Sequence, residues 1–130
     1  MPVEDEKPLP AGIWLSELRK LAESCANDNG EAEDRAVRRA FHVLKLSPPA
    51  IARIWAADLS EGDMEAMLEQ GNAREAAGQI VGSHASVEMA ADTKRHVAVL
   101  QFDGDQPVRA EAATPALAII SAWAALLLAS

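Results

Sequence analysis

The first half of the chain repeats apolar residues at helical spacing, with charged residues on the opposite side of each projected helix. This pattern predicts amphipathic helices over residues 12–25, 31–46 and 48–59, then from 61 to a break or bend at Gly71-Asn72, and again over 73–80. Ser60 followed by Asp63 resembles a capping box, and Ser47-Pro48 suits both the end of one helix and the start of the next. A mainly helical part is therefore predicted over residues 11–81.

The hydrophobic period changes at His84 to the alternation that is typical of strands. Strands are predicted over 84–91, 95–102 and 108–112, joined by turns that include an Asp-Gly pair at 103–104. An antiparallel meander is expected to direct Val87, Met89, Val97, Val99, Val108, Ala110 and Ala112 toward the core. The opposite face is expected to carry His84, Ser86, Glu88, His96, Leu100, Phe102, Arg109 and Glu111. Leu100 and Phe102 then form an apolar island, a candidate contact for a partner.

The last nineteen residues, Ala112 to Ser130, carry no charge. Thr114 and Pro115 predict the start of a helix that continues to the C-terminus. Large apolar residues cover its broad side, and the alanine face comprises Ala118, Ala122, Ala125 and Ala129. Two interpretations stay open: a central helix of a monomeric core, or self-association through the alanine face. A membrane span is disfavoured, since 16 residues reach only about 24 Å of a roughly 30 Å hydrocarbon core.

These elements predict an α+β fold in which N-terminal helices precede a three-stranded antiparallel β-meander packed against a buried C-terminal helix. Residues 1–10 are expected to form a flexible lead-in. Residues 11–130 are expected to form a single domain, mainly helical over 11–81, with the meander and the last helix over 84–130.

The stretch from Ala113 to Ile119, Ala-Thr-Pro-Ala-Leu-Ala-Ile, resembles the C-terminal end of the phage ABA sandwich domain family. The likeness covers about the last seventy residues and leaves the first three predicted helices outside. It implies a helix, a small antiparallel sheet and a returning helix, together with a phage ancestry, but no activity. Ser121 departs from the family pattern, in which a cysteine-arginine pair often follows the isoleucine.

Charge limits the choice of partners. Twelve basic and twenty acidic residues give a net charge of −8, which disfavours nonspecific attraction to nucleic acid or anionic lipid. Residues 35–57 are the exception because they contain five basic residues and no acidic one: Arg35, Arg38, Arg39, Lys45 and Arg53. Segment 35–58 has a helix-turn-helix outline, so a DNA-binding regulator is the alternative function. Only Arg53 would read base edges, and a solvated basic helix face is therefore favoured.

Signals for chemistry are weak. His42, His84 and His96 are too scattered for a metal site, and no cofactor motif is found. Glu88, Arg109 and Glu111 on the outer sheet face suit ordinary sheet support better than catalysis. The single cysteine, Cys25, is predicted to be a buried thiol in a cytoplasmic protein. The sequence thus predicts a small acidic soluble protein, not an enzyme, that acts as an interaction or assembly module by binding a protein partner or itself.

Overall fold

A computed structural model describes residues 10–27, 33–46, 60–81, 85–91, 96–102 and 106–129. The helices are α1 (Ala11–Asn27), α2 (Glu33–Lys45), α3 (Glu61–Glu69), α4 (Ala73–Val81) and α5 (Pro115–Ala129). The strands are β1 (Ala85–Ala91), β2 (His96–Phe102) and β3 (Val108–Ala112). The predicted α+β class and the order of these elements are confirmed. The predicted helix at 48–59 and residues 1–9 of the predicted lead-in lie outside the described residues.

Local side-chain chemistry places the helix ends. The Asp63 N–H donates to Ser60 Oγ over 3.1 Å at the start of α3, and the Leu117 N–H donates to Thr114 Oγ1 over 3.2 Å at the start of α5. Gly71, at φ +77°, ends α3 in the left-handed conformation that glycine adopts readily. The N–H groups of Gly71 and Asn72 donate back to Leu68 and Met67, as in a Schellman motif. The predicted break at Gly71-Asn72 is therefore a true helix end.

The sheet is an antiparallel meander in the order β1-β2-β3, as predicted. Its register places Leu100 opposite both Val87 and Val108, so these three residues share the inner face. Leu100 is 0 % exposed, whereas Val97 and Val99 lie on the outer face opposite Glu111 and Arg109. The predicted orientation of β2 was therefore wrong.

The error in β2 has a physical cause. Apolar residues occupy both faces of this strand, so hydrophobic alternation alone does not select the face that is buried. Four positions, 92–95, separate the paired residues Ala91 and His96, and this spacing determines which residues lie opposite each other. A one-residue difference in register reverses the face of every side chain.

Helix α5 lies at the centre of the fold. It contacts β2 and β3 of the sheet as well as α1, α2 and α4, and every residue from 116 to 124 is buried. A charged side chain between residues 116 and 124 would lose its hydration and find no counter-charge. This cost explains why the sequence of α5 contains no charged residue. Trp14 joins the surrounding helices, because its Nε1–H donates to the Val43 carbonyl of α2 over 2.8 Å.

Candidate interaction surface

The residues proposed as a self-association face are largely covered by the chain itself. Ala118 and Ala122 are 0 % exposed, and α1 makes the most extensive helix contact with α5. Ala125 is half-buried, and the side chain of Ala129 lies outside the description. Ala118 and Ala122 therefore belong to the core of a single chain and do not form a contact between chains.

The predicted apolar island at Leu100 and Phe102 is also corrected. Leu100 belongs to the hydrophobic core beneath α5 and is not available to a partner. Phe102 ends β2 opposite Ala85, and its side chain lies outside the description. The register of β2 thus removes the surface that the sequence pattern indicated.

The basic residues of α2 are partly balanced by carboxylates from neighbouring helices. Arg38 binds Glu65 of α3 through two atoms, with Nε 2.8 Å from Oε2 and Nη2 2.9 Å from Oε1. Arg39 lies 3.8 Å from Glu17 of α1. The Lys45 ammonium lies 5.2 Å from the centre of the Phe41 ring. Arg35 is exposed, and Arg53 lies outside the described residues. Two of the arginines in the candidate DNA contact thus form ion pairs within the protein.

The Arg38–Glu65 pair predicts a pH-dependent contribution to stability. Hydrogen bonding to Arg38 lowers the pKa of Glu65 and raises the pKa of Arg38. Because the folded-state pKa of Glu65 is depressed, its contribution is complete above the ordinary glutamate pKa and is lost as pH falls through the folded value. Glu65→Gln is expected to lower the thermal midpoint slightly at pH 7, and this difference should disappear in acid. Glu23→Gln, at an exposed position on α1, is the matched control; an acid-insensitive difference would contradict the assignment.

Groups that resemble catalytic or metal sites are dispersed. His42 is exposed on α2, His96 is half-buried on β2, and His84 lies outside the description. In the described part of the chain, no three histidine, cysteine, aspartate or glutamate residues cluster as metal ligands would. Arg109 binds Glu111 over 3.0 Å along the outer face of β3, so the two charges pair with each other within one strand. Cys25 is fully buried, as predicted.

A groove of about 330 Å³ opens between α4 and the inner face of β1. Its lining consists of Arg74, Glu75, Gly78, Val87, Met89 and Ile119. The groove exists because α5 packs mainly over β2 and β3, so that β1 receives less cover than the other two strands. Val87 is consequently 37 % exposed, although it shares the inner face with the fully buried Leu100.

Glycine on α4 enlarges the groove. Gly78 lies in the interior of the helix and lines the groove, and a Cβ atom at this position would meet nothing within 4 Å. A glycine inside a helix costs roughly 0.5–1 kcal/mol relative to alanine. Packing within the described residues does not require glycine at position 78. The missing side chain of Gly78 leaves space between α4 and β1.

The free edge of β1 borders the groove. Within the described ranges, β1 pairs with β2 on one side, and no strand pairs with its other side. Exposed edge strands are usually protected by charged side chains, above all lysine, by proline, by a bulge, or by a covering helix or loop. β1 has no lysine or proline, its only charged residue is Glu88, and it pairs with β2 residue for residue from Ala85 to Ala91. The edge of β3, by contrast, is approached by α1.

Hydrophobic alternation in the sequence predicts that Val87 and Met89 lie on a covered core face, so it does not indicate this surface. One signal was present in the sequence: β1 is the first strand of a three-stranded meander, and such a strand is always at an edge. The groove had no sequence signal, since it depends on which strands α5 covers.

Comparisons with protein-family models, with curated proteins and with solved structures gave no match for this chain. No helix in the described part of the chain has the length and apolar character needed to cross a membrane. The groove, and the edge of β1 that no strand of the described residues pairs, are therefore the features that bear on function.

Proposed function

We propose that this protein is a non-catalytic interaction module that binds an extended polypeptide segment along the free edge of β1. The proposal is carried by the edge of β1 with which no strand of the described residues pairs, and by the partly apolar groove beside it, where Val87 is 37 % exposed. Unpaired backbone N–H and C=O groups along such an edge bind an added strand, and pockets for alternate side chains supply specificity.

The groove suits alternate side chains of an added strand. Side chains at positions i and i+2 of a strand point to the same face, so two of them would lie on the groove side of the extended sheet. Val87, Met89 and Ile119 provide apolar contact there, and Gly78 leaves room below α4. Arg74 and Glu75 add charged groups of both signs to the lining. The segment that fits is thus extended, with apolar residues at alternate positions.

Two further expectations belong to this proposal. A cytoplasmic location is supported by the single cysteine, which leaves the chain without an internal disulfide. A phage origin is supported only by the resemblance at Ala113–Ile119, whose implied order of helix, antiparallel sheet and returning helix is also the order of α4, the meander and α5.

Selection from a library of random peptides displayed on phage tests the proposal. Immobilised protein is expected to enrich peptides with apolar residues at alternate positions. Val87→Lys, which puts a charge beside the groove, should reduce their binding at least about tenfold, a loss of roughly 1.4 kcal/mol. Ile13→Lys is the matched control, because Ile13 is an apolar residue of α1 that is 54 % exposed. Failure to enrich such peptides, or equal loss in both variants, would overturn the proposal.

A further inference from the structure

We infer that Glu88 determines which residue of the bound segment can lie directly opposite it, and that this residue is a lysine or an arginine; this inference rests on the proposed function. The two neighbours of that basic residue in the segment point to the groove side, where Val87 and Met89 provide apolar contact. The shortest motif that fits this edge of β1 is therefore an apolar residue, a basic residue and a second apolar residue.

β1 is accessible to solvent on both of its faces at positions 87 and 88. Val87 is 37 % exposed on the inner face, and the Glu88 side chain is exposed on the outer face. Glu88 is also the only charged residue of this strand. A segment paired with β1 would therefore meet apolar side chains on one face of the extended sheet and a single carboxylate on the other.

Glu88 has no counter-charge in the described part of the chain. The residue opposite it on β2 is the uncharged Val99, and the next residue in the same row is Arg109 of β3. Two strand spacings, roughly 10 Å, separate the backbones at Glu88 and Arg109. Arg109 also binds Glu111 over 3.0 Å. A cation directly opposite Glu88 can thus come only from the other side of β1, where the proposed segment pairs.

Charge favours a basic segment both before and after contact. The net charge of −8 attracts cationic segments and repels anionic ones as they approach. In the paired strands, the Cβ atoms of opposite residues lie about 4.5–5.5 Å apart, and a pair of opposite charges there raises affinity up to about fivefold. Arg74 and Glu75 of the groove lining have opposite signs, so the groove side adds no net charge preference.

Two synthetic peptides test this inference. Both carry the alternate apolar residues of the selected peptides, and they differ only at the position between those residues, which is lysine in one and glutamate in the other. We expect the wild-type protein to bind the lysine peptide at least about threefold more tightly in calorimetric titration at roughly 0.15 M salt, which screens distant charges. Glu88→Lys should reverse the order, because it places a cation opposite the lysine.

Glu23→Lys is the matched control. It makes the same change in net charge at an exposed position of α1, the helix that approaches the sheet at β3 and so lies toward the opposite edge. This variant is expected to keep the wild-type order of the two peptides. Circular dichroism of both lysine variants verifies that they are folded. Reversal in both variants would overturn the inference, because net charge and not Glu88 would then determine the preference.

The outcomes also separate this inference from the proposed function. Equal binding of the two peptides by the wild-type protein would overturn the role of Glu88. If Val87→Lys still weakens both peptides in that case, the edge binds a polypeptide without regard to its charge, and the proposed function stands. If selection enriches no peptides with alternate apolar residues, the proposed function and this inference are both wrong.

Discussion

Replacement of Ala122 by glutamate is expected to prevent the chain from folding. Ala122 is 0 % exposed at the centre of α5, where every residue from 116 to 124 is buried. A carboxylate at this position would lose its hydration without gaining a cation, at a cost of several kcal/mol. Since whole domains are stable by about 5–15 kcal/mol, and the larger side chain also overpacks a close helix contact, the folded state would be lost or barely populated.

Circular dichroism and urea titration measure this effect. The matched control is Ala66→Glu, the same change at an exposed position on α3, where surface substitutions typically shift stability by about 0.5 kcal/mol or less. A face used only for self-association would tolerate Ala122→Glu as a folded monomer. Recovery of the variant with native circular dichroism and unchanged urea midpoint would contradict the burial of α5 within one chain.

Two buried tryptophans are expected to respond differently to the same substitution. Trp14 and Trp123 are both fully or almost fully buried. The Trp14 Nε1–H donates to the Val43 carbonyl over 2.8 Å, whereas the Trp123 Nε1–H has no acceptor among the described residues. Trp→Phe removes similar volume at both positions, but only at Trp14 does it also remove a hydrogen bond between α1 and α2.

We expect Trp14→Phe to lower the free energy of unfolding by about 1–2 kcal/mol more than Trp123→Phe, which is the range for losing a buried hydrogen bond. Chemical denaturation of both variants in parallel measures this difference in the free energy of unfolding. The cost of the cavity that Trp→Phe leaves is similar at both positions and largely cancels. The Val43 carbonyl also accepts a hydrogen bond from the Leu46 N–H over 3.2 Å. It therefore keeps one hydrogen bond in Trp14→Phe, which limits the loss of stability. Equal destabilisation would show that the Trp14 hydrogen bond contributes nothing to stability.

Much of the fold followed from local patterns. Helix periodicity predicted α1 and α2 within about two residues at each end, and the side chains of Ser60 and Thr114 marked the starts of α3 and α5 correctly. These features depend on residues within one or two helical turns of each other, so they can be predicted from the sequence.

The candidate site was far less predictable. Ala118 and Ala122 were assigned to a possible interface, and Leu100 to an exposed island, yet all three are fully buried. The groove beside Val87 was missed altogether. An apolar side chain looks the same in sequence whether its own chain or another covers it, because burial depends on residues far apart along the chain.

The sequence alone determined where the described helices and strands form, that α5 must be hidden from water, and that the chain is acidic. Those properties come from capping groups, periodicity and the absence of charge over 112–130. Only the tertiary structure decided which face of β2 is buried, that the chain itself covers α5, and that one edge of β1, unpaired by any strand of the described residues, lies beside a groove. These outcomes depend on strand register and on the spacing between packed elements, which no local pattern specifies.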